Sequence, residues 1–229
     1  MSSAAQETCW TLIRAAAAGR RAEREEFTRR YLPAVRAYLS ARWRGSPLSH
    51  EVDDGVQEVF MACFKPGGAL ERVDAAPGPG FRAYLVGVVR NVALQLERAG
   101  ARRSARAGVN SGSVVAELAA DDPSLSQAYD RAYARALMRE AAGVMARHAS
   151  ESGPPAQRRV ELLRLRFEDG TPIREIARLW DADARELHLE YAKAGREFRT
   201  ALREVVGLSE RCAPERLDEE CERLLALLR

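Results

Sequence analysis

The sequence predicts an all-α fold in which two helical domains are joined by a flexible linker. Apolar residues recur at steps of three and four along almost the whole chain, which is the spacing that places them on one face of a helix. No convincing run of alternating apolar and polar residues, the pattern of a half-buried strand, interrupts this periodicity. Residues 108–122 are small, polar and without strong periodicity, so we interpret them as the linker.

The first domain, residues 1–107, is expected to contain three amphipathic helices. The first of them ends near Trp43 and has an apolar face made of Phe27, Tyr31, Val35, Tyr38 and Leu39. The second is predicted to begin at Ser49, a suitable N-cap, and to end at Lys65, because proline and two glycines follow. Its expected buried residues are Val52, Val56, Val59, Phe60 and Cys63.

After a loop at residues 75–80, which is rich in proline and glycine, a long helix is predicted from about Phe81 to Arg106. Its apolar stripe consists of Leu85, Val88, Val89, Val92 and Leu96. Six arginines of this helix are opposed by one acid within the same helix, Glu97; they are Arg82, Arg90, Arg98, Arg102, Arg103 and Arg106. Clustered arginines on one helix are typical of a phosphate-binding surface, although a charged run is also common on a solvated face.

The second domain, residues 123–206, is predicted to begin with Asp122 as a cap and Pro123 at the first helical position. The segment Ser152-Gly153-Pro154-Pro155 ends that helix, and three helices at about 156–168, 172–180 and 184–206 follow. Residues 207–229 form an extension with a short helix that carries Leu217, Leu224, Leu225 and Leu228. We leave the role of this extension open.

A short turn at residues 181–183 joins the last two of those three helices, which is the spacing of a helix-turn-helix. The first helix would bury Ile173, Ile176, Ala177 and Trp180. The second would bury Leu187, Tyr191, Ala194, Phe198 and Leu202. Because any three-helix bundle shows such a pattern, DNA binding stays one of two interpretations at this point.

Other classes of protein are disfavoured by composition. The formal net charge is +3, and nearly all positive charge is arginine, since Lys65 and Lys193 are the only lysines; a GC-rich coding bias accounts for part of this excess. No apolar run is long enough to cross a membrane, and the N-terminus is unlike a signal peptide, so we expect a cytoplasmic protein. The dispersed cysteines and histidines predict no metal site, and we find no motif of an enzyme or a cofactor site.

Two blocks of the sequence resemble the extracytoplasmic-function sigma factors of the sigma-70 family. Residues 27–43, followed by Glu51-Val52-Asp53-Asp54-Gly55-Val56-Gln57-Glu58-Val59-Phe60, are similar to regions 2.1 and 2.2 of that family. Residues 81–93, including Arg90-Asn91-Val92-Ala93, resemble regions 2.3 and 2.4, and residues 157–202 resemble region 4. The resemblance implies a promoter-recognition subunit that has no enzymatic activity. Its implied partners are core RNA polymerase and promoter DNA, with an anti-sigma factor as an open alternative.

The resemblance also implies a role for particular residues. Contact with core polymerase falls to Asp53, Asp54, Gln57, Glu58 and Phe60. Contact with the −10 element falls to Arg82, Tyr84, Arg90, Asn91, Arg98, Arg102 and Arg103. Contact with the −35 element falls to Arg185, His188, Leu189, Lys193 and Arg196. For Asn91, local side-chain hydrogen bonding is the alternative to a DNA contact.

The chain departs from the family pattern at three places. Tyr84 stands where tryptophan is usual, and Gly55 replaces a leucine at a cost in helix propensity. The recognition helix that the resemblance implies carries Glu186 and Glu190 where the family prefers small, hydroxyl and basic residues. Asp183 and Glu186 are expected to form a capping box there. Two other functions stay open, a helix-turn-helix regulator independent of polymerase and a helical protein-interaction adaptor.

Overall fold

The computed structural model describes residues 3–73, 81–106, 123–209 and 216–228. Throughout these ranges the regular structure is helical and contains no strand, so the predicted all-α class is confirmed. The elements are α1 (Ser3–Ala17), α2 (Arg21–Arg42), a 3₁₀ helix (Pro47–His50), α3 (Val52–Phe64), α4 (Ala69–Arg72), α5 (Phe81–Arg106), α6 (Pro123–Ser152), α7 (Pro154–Phe167), α8 (Ile173–Leu179), α9 (Ala184–Ser209) and α10 (Leu217–Ala226). No helix in the described ranges is long and apolar enough to span a membrane.

Contacts divide the chain into two compact units, Met1–Ala136 with Leu224–Arg229, and Leu137–Arg223. This division differs from one at the predicted linker, residues 108–122, which lie outside the described residues. The first half of α6 packs within the first unit, where Tyr133 stacks on Tyr31 with ring centroids 5.8 Å apart. Asp130 of the same helix accepts a hydrogen bond from Arg82. Aromatic stacking and this ion pair therefore join the start of α6 to the first unit.

The core of the first unit is built around the ring of Phe27 on α2. This ring meets Tyr31 at 4.7 Å, Phe64 at 5.7 Å and Phe81 at 5.7 Å between centroids. Because α2, α3 and the start of α5 each contribute an aromatic side chain, this cluster holds the three helices together. Burial of each large aromatic side chain removes on the order of 150–250 Å² from water.

The start of the second predicted helix was wrong. Ser49 lies within the 3₁₀ helix Pro47–His50, and α3 begins only at Val52. The true cap in this segment is Ser46, whose Oγ accepts a hydrogen bond from the Leu48 amide at 3.2 Å. Pro47 follows at the first helical position, where its missing N–H costs nothing. By contrast, the start and the end of both α5 and α6 were predicted to within one residue.

In the second unit, α7, α8 and α9 pack around a small apolar core. Its buried members are Leu162, Ile173, Ile176, Ala177 and Leu187. The predicted inner faces of α8 and α9 are confirmed at most positions, since Ala194 and Leu202 are buried as well. The three aromatic residues assigned to these faces are only partly buried; they are Trp180, Tyr191 and Phe198. The turn between them requires Asp181 at φ 45°, a conformation that aspartate tolerates better than most residues.

Candidate functional site

A groove of about 770 Å³ lies on the first unit between α2, α3 and α5. Its apolar lining comprises Leu32, Val56, Phe60, Met61, Phe64, Val92 and Leu96. Its polar lining includes Arg36, Asp53, Gln57 and Glu58. An apolar floor with a polar rim is the usual composition of a protein-binding surface.

The residues predicted from the sequence to contact core polymerase differ in their position relative to this groove and in their exposure. Asp53, Gln57 and Glu58 are exposed and line it, and Asp54 is exposed on the same helix. Asp53 is already paired with Arg36 of α2, so a partner that uses this carboxylate would compete with that guanidinium. Phe60 is only 7% exposed, because its ring packs edge-on against Phe27 in the core. Phe60 therefore contributes mainly by supporting the floor of the groove.

Met61 is a groove residue that the sequence reasoning missed. Its side chain is 53% exposed, an unusual position for a large apolar residue. The signal was present in the sequence, because Met61 follows Gln57 by four residues and so lies on the same face of α3. A thioether is flexible and polarizable, which suits contact with an irregular partner surface.

Four of the seven residues predicted to meet the −10 element lie on one face of α5. With about 100° per residue, Tyr84, Asn91, Arg98 and Arg102 fall on a single stripe along the helix. Asn91, Arg98 and Arg102 are exposed and Tyr84 is half-buried. We call these four residues the α5 stripe. It offers an aromatic ring, an amide and two guanidinium groups in a row, which is a set of groups suited to bases and phosphates.

The other three arginines of that prediction do not join the stripe. Arg82 points to a different side of the helix, where its Nε donates to Asp130 at 2.8 Å. Arg103 donates to Glu51 at 3.4 Å, and Arg90 is half-buried. The positive charge of this cluster is therefore partly neutralised, which the sequence of α5 alone does not indicate. Asp130 pairs with Arg82, and Glu51 pairs with Arg103.

Glu97, the acid of this helix, does not oppose the exposed arginines. It is buried and accepts hydrogen bonds from Arg42 at 2.6 and 2.9 Å and from the Trp43 indole at 2.9 Å. Bonding to Glu97 raises the pKa of Arg42 above its ordinary value. Since both carboxylate oxygens are engaged inside the unit, Arg98, Arg102 and the end of α5 keep their positive charge at the surface.

Tyr84 has a structural contact as well as a place on the stripe. Its hydroxyl donates to the Ala69 carbonyl at 2.8 Å, which holds α4 against α5. Burial raises the pKa of Tyr84 above the ordinary value of a phenol. Its ring lies 6.5 Å from that of Phe81. The contacts with Ala69 and Phe81 fix the position of the Tyr84 ring, so only the part of the ring that is exposed to solvent could stack on a base.

On the second unit, α9 exposes all five residues that the resemblance assigned to the −35 element. Arg185, Leu189, Lys193 and Arg196 are exposed along it, and His188 is exposed on one flank. Leu189 is 66% exposed, although it is a large apolar residue in the middle of a helix. Asp183 caps this helix as predicted, since its Oδ1 accepts from the amides of Arg185 at 2.6 Å and Glu186 at 3.2 Å.

The opposite flank of α9 is acidic and carries a network of ion pairs. Arg159 of α7 donates from Nε and Nη2 to Glu197 at 2.7–3.0 Å and from Nη1 to Glu190 at 3.1 Å. Lys193 donates to the other oxygen of Glu190 at 2.6 Å. The hydrogen bond from Lys193 has the largest effect in lowering the pKa of Glu190, and the bond from Arg159 lowers it further. Of the cations on the predicted DNA face, Lys193 is therefore already paired within its own helix.

Comparison with known families assigns a class to the first unit. Residues 27–103 match Sigma-70 region 2, and this segment contains every residue that lines the groove and all four residues of the α5 stripe. No curated protein and no solved structure matches the chain. The chain thus carries a Sigma-70 region 2 domain, and this domain supports a role as a sigma-70 family factor.

Proposed function

We propose that this protein is a sigma factor of the extracytoplasmic-function type, which binds core RNA polymerase in the cytoplasm and directs it to promoters. The observation that carries the proposal is the Sigma-70 region 2 match at residues 27–103, which coincides with a protein-binding groove and a DNA-compatible stripe. The proposed assignments are 1–107 for polymerase and the −10 element, 108–122 for a linker, 123–206 for the −35 element and 207–229 for an extension. The protein acts through binding and performs no chemistry.

Binding to polymerase is supported by the groove between α2, α3 and α5. Exposed Met61 would supply a central apolar contact, while Gln57 and Glu58 would form the rim. Interfaces of this kind draw most of their affinity from a few apolar anchors, and rim charges contribute to selectivity and to the rate of association.

Promoter recognition is supported by two surfaces. The α5 stripe offers Tyr84 for an unstacked base and Arg98 and Arg102 for phosphates, a combination that suits the strands of a melted −10 element. On α9, exposed Arg185 near the helix N-terminus is suited to a base edge in the major groove, and Leu189 to a thymine methyl group.

Two rival functions make different use of these surfaces. A helix-turn-helix regulator that never meets polymerase would need α9 but would have no use for the groove of the first unit. A helical adaptor that binds only protein would need the groove but would have no use for the exposed arginines of α5 and α9. Only a polymerase-bound promoter reader requires all three surfaces, which is why we favour it.

Charge reversal in the groove region tests the proposal. Asp54 and Glu58 are exposed, and no ion pair with another described residue involves either, so D54K/E58K should stay folded. We expect the double variant to bind core RNA polymerase at least tenfold more weakly in a fluorescence titration, as the charge is inverted at one rim residue, Glu58, and at its exposed neighbour on α3, Asp54.

The matched control is E151K/E222K, which makes the same change of charge at two exposed acids of α6 and α10. This control should bind core polymerase as the wild-type chain does. Equal affinity of all three proteins would show that the groove is not the polymerase-binding surface. Failure of the wild-type chain itself to bind core polymerase would overturn the proposed function.

A further inference from the structure

The α9 helix places two acids beside the face that would approach DNA. Glu190 and Glu197 are seven residues apart, so they lie two turns apart on the same flank. Lys193, on the edge of the exposed face, lies between them along the helix. Carboxylates in this position would repel phosphates, and like charges across an interface are costly.

One side chain from a neighbouring helix meets both acids. The Arg159 guanidinium of α7 makes a two-pronged contact with Glu197 through Nε and Nη2, and reaches Glu190 through Nη1. Its side chain is 16% exposed, whereas those of the two glutamates are 37–39% exposed. Arginine is the suitable residue here, because its rigid planar fork can serve two carboxylates at the same time.

The contact has a mechanical consequence as well as an electrostatic one. It joins α7 to α9 at two points that lie about two turns apart along α9, beside the apolar core that includes Leu162 and Leu187. The rotation of α9 about its own axis is therefore restrained on one flank by apolar packing and on the other by the guanidinium. That rotation decides whether Arg185 and Leu189 face outward.

We propose that Arg159 is a positioning residue for DNA recognition, which neutralises the acidic flank of α9 and holds the exposed face of that helix outward. The inference rests on the proposed function and adds a residue that no sequence pattern assigned to promoter binding. Arg159, Glu190, Lys193 and Glu197 together carry no net charge. Loss of Arg159 leaves this group with a net negative charge next to the DNA-facing side.

The experiment uses the full chain bound to core RNA polymerase and a pool of labelled promoter-length duplexes that are randomised over the −35 region. Affinity and selected sequences are measured at several salt concentrations for the wild type, R159Q, R159Q/E190Q/E197Q and R185A. We expect R159Q to bind the pool about tenfold more weakly and to lower the steepness of the salt dependence by about one unit. R185A should instead relax the preference at one base position.

The triple variant separates neutralisation from simple loss of a structural contact. It lacks the guanidinium, but it also lacks the two carboxylates that the guanidinium neutralises. Because Lys193 then leaves the group with one net positive charge, we expect the triple variant to bind no more than about threefold more weakly than the wild type, with a salt dependence at least as steep as that of the wild type. R159K, whose single ammonium can serve only one of the two glutamates, should give an intermediate affinity.

Three results would overturn the inference. Unchanged affinity and salt dependence in R159Q would show that Arg159 has no effect on DNA binding, even though the wild type selects sequences. A triple variant as weak as R159Q would show that the acids are not the cause. A wild-type complex without sequence preference, indistinguishable from R185A, would refute the proposed function of α9 and this inference with it. If R159Q unfolds, R159K and R159K/E197Q provide the same comparison, with recovery in the double variant as the expected result.

Discussion

Replacement of Gly55 by alanine should destabilise the first unit, although alanine is the better helix former. An added Cβ at this position would lie 2.5 Å from Cη2 and 2.7 Å from Cζ3 of Trp43, and 3.2 Å from Cδ1 of Leu39. Trp43 is fully buried, and its indole nitrogen donates to Glu97. The ring therefore cannot rotate away without breaking a buried hydrogen bond.

The magnitude follows from two opposing effects. In the interior of a helix, alanine favours the helical state over glycine by about 1 kcal/mol of free energy. Forcing an extra methyl group into a packed core costs typically about 1–3 kcal/mol, and contacts as short as these belong to the upper part of that range. We expect the free energy of unfolding of G55A to fall by about 1–2 kcal/mol in total.

Urea unfolding followed by tryptophan fluorescence measures this change, because Trp43 itself reports on the site. The matched control is G87A on α5 of the same unit, where an added Cβ meets nothing within 4 Å. Here the gain in helix propensity is unopposed, so the control should be stabilised by about 0.5–1 kcal/mol. A G55A protein as stable as the wild type, beside a stabilised G87A, would refute the reasoning from close approach.

Three further predictions follow from buried contacts of the first unit. E97L alone should cost about 3–5 kcal/mol because it leaves the Arg42 guanidinium buried without a counterion, whereas R42M/E97L should recover most of this loss in urea unfolding but stay about 1–3 kcal/mol below the wild type, because the buried Trp43 indole loses its acceptor. Y84F, which loses the hydroxyl bond to Ala69 but keeps the ring, should open promoters normally in permanganate footprinting, whereas Y84A should be impaired; equal opening by both would exclude a stacking role. Since burial raises the pKa of the Cys63 thiol to about 12, iodoacetamide at about pH 8 should modify it only after unfolding, as peptide mass spectrometry would show.

Long amphipathic helices were the most predictable part of this fold. Both α5 and α9 combine a clear apolar stripe with a strong start signal in the sequence, the prolines and glycines of residues 75–80 before Phe81 and the Asp183 cap before α9. The N-terminal helix α1 was not predicted, and its composition explains why. Its buried residues include Ala15 and Ala16, which are too small to form a conspicuous apolar stripe.

Contacts between distant segments were not predictable from local pattern. Gly55 was interpreted as a loss of helix propensity, but the ring of Trp43, on another element, requires the absence of a side chain. Arg82 was taken as an uncompensated cation, yet its partner Asp130 lies 48 residues away. Periodicity identifies which residues face inward, but it carries no information about which element they meet.

Charge also illustrates this difference between sequence and structure. A formal charge of +3 on 229 residues gives little reason to expect a nucleic-acid surface. In the structure, several acids are engaged away from the surfaces proposed to meet DNA, since Glu97 binds Arg42 and Trp43 in the core and Asp130 binds Arg82. The exposed stripe of α5 can therefore be basic in a nearly neutral chain, because the field that a phosphate meets depends on which charges are solvent-facing. By the same reasoning, we expect the pairing of Glu190 and Glu197 with Arg159 to allow a helix with acidic residues to approach DNA, as our proposal requires.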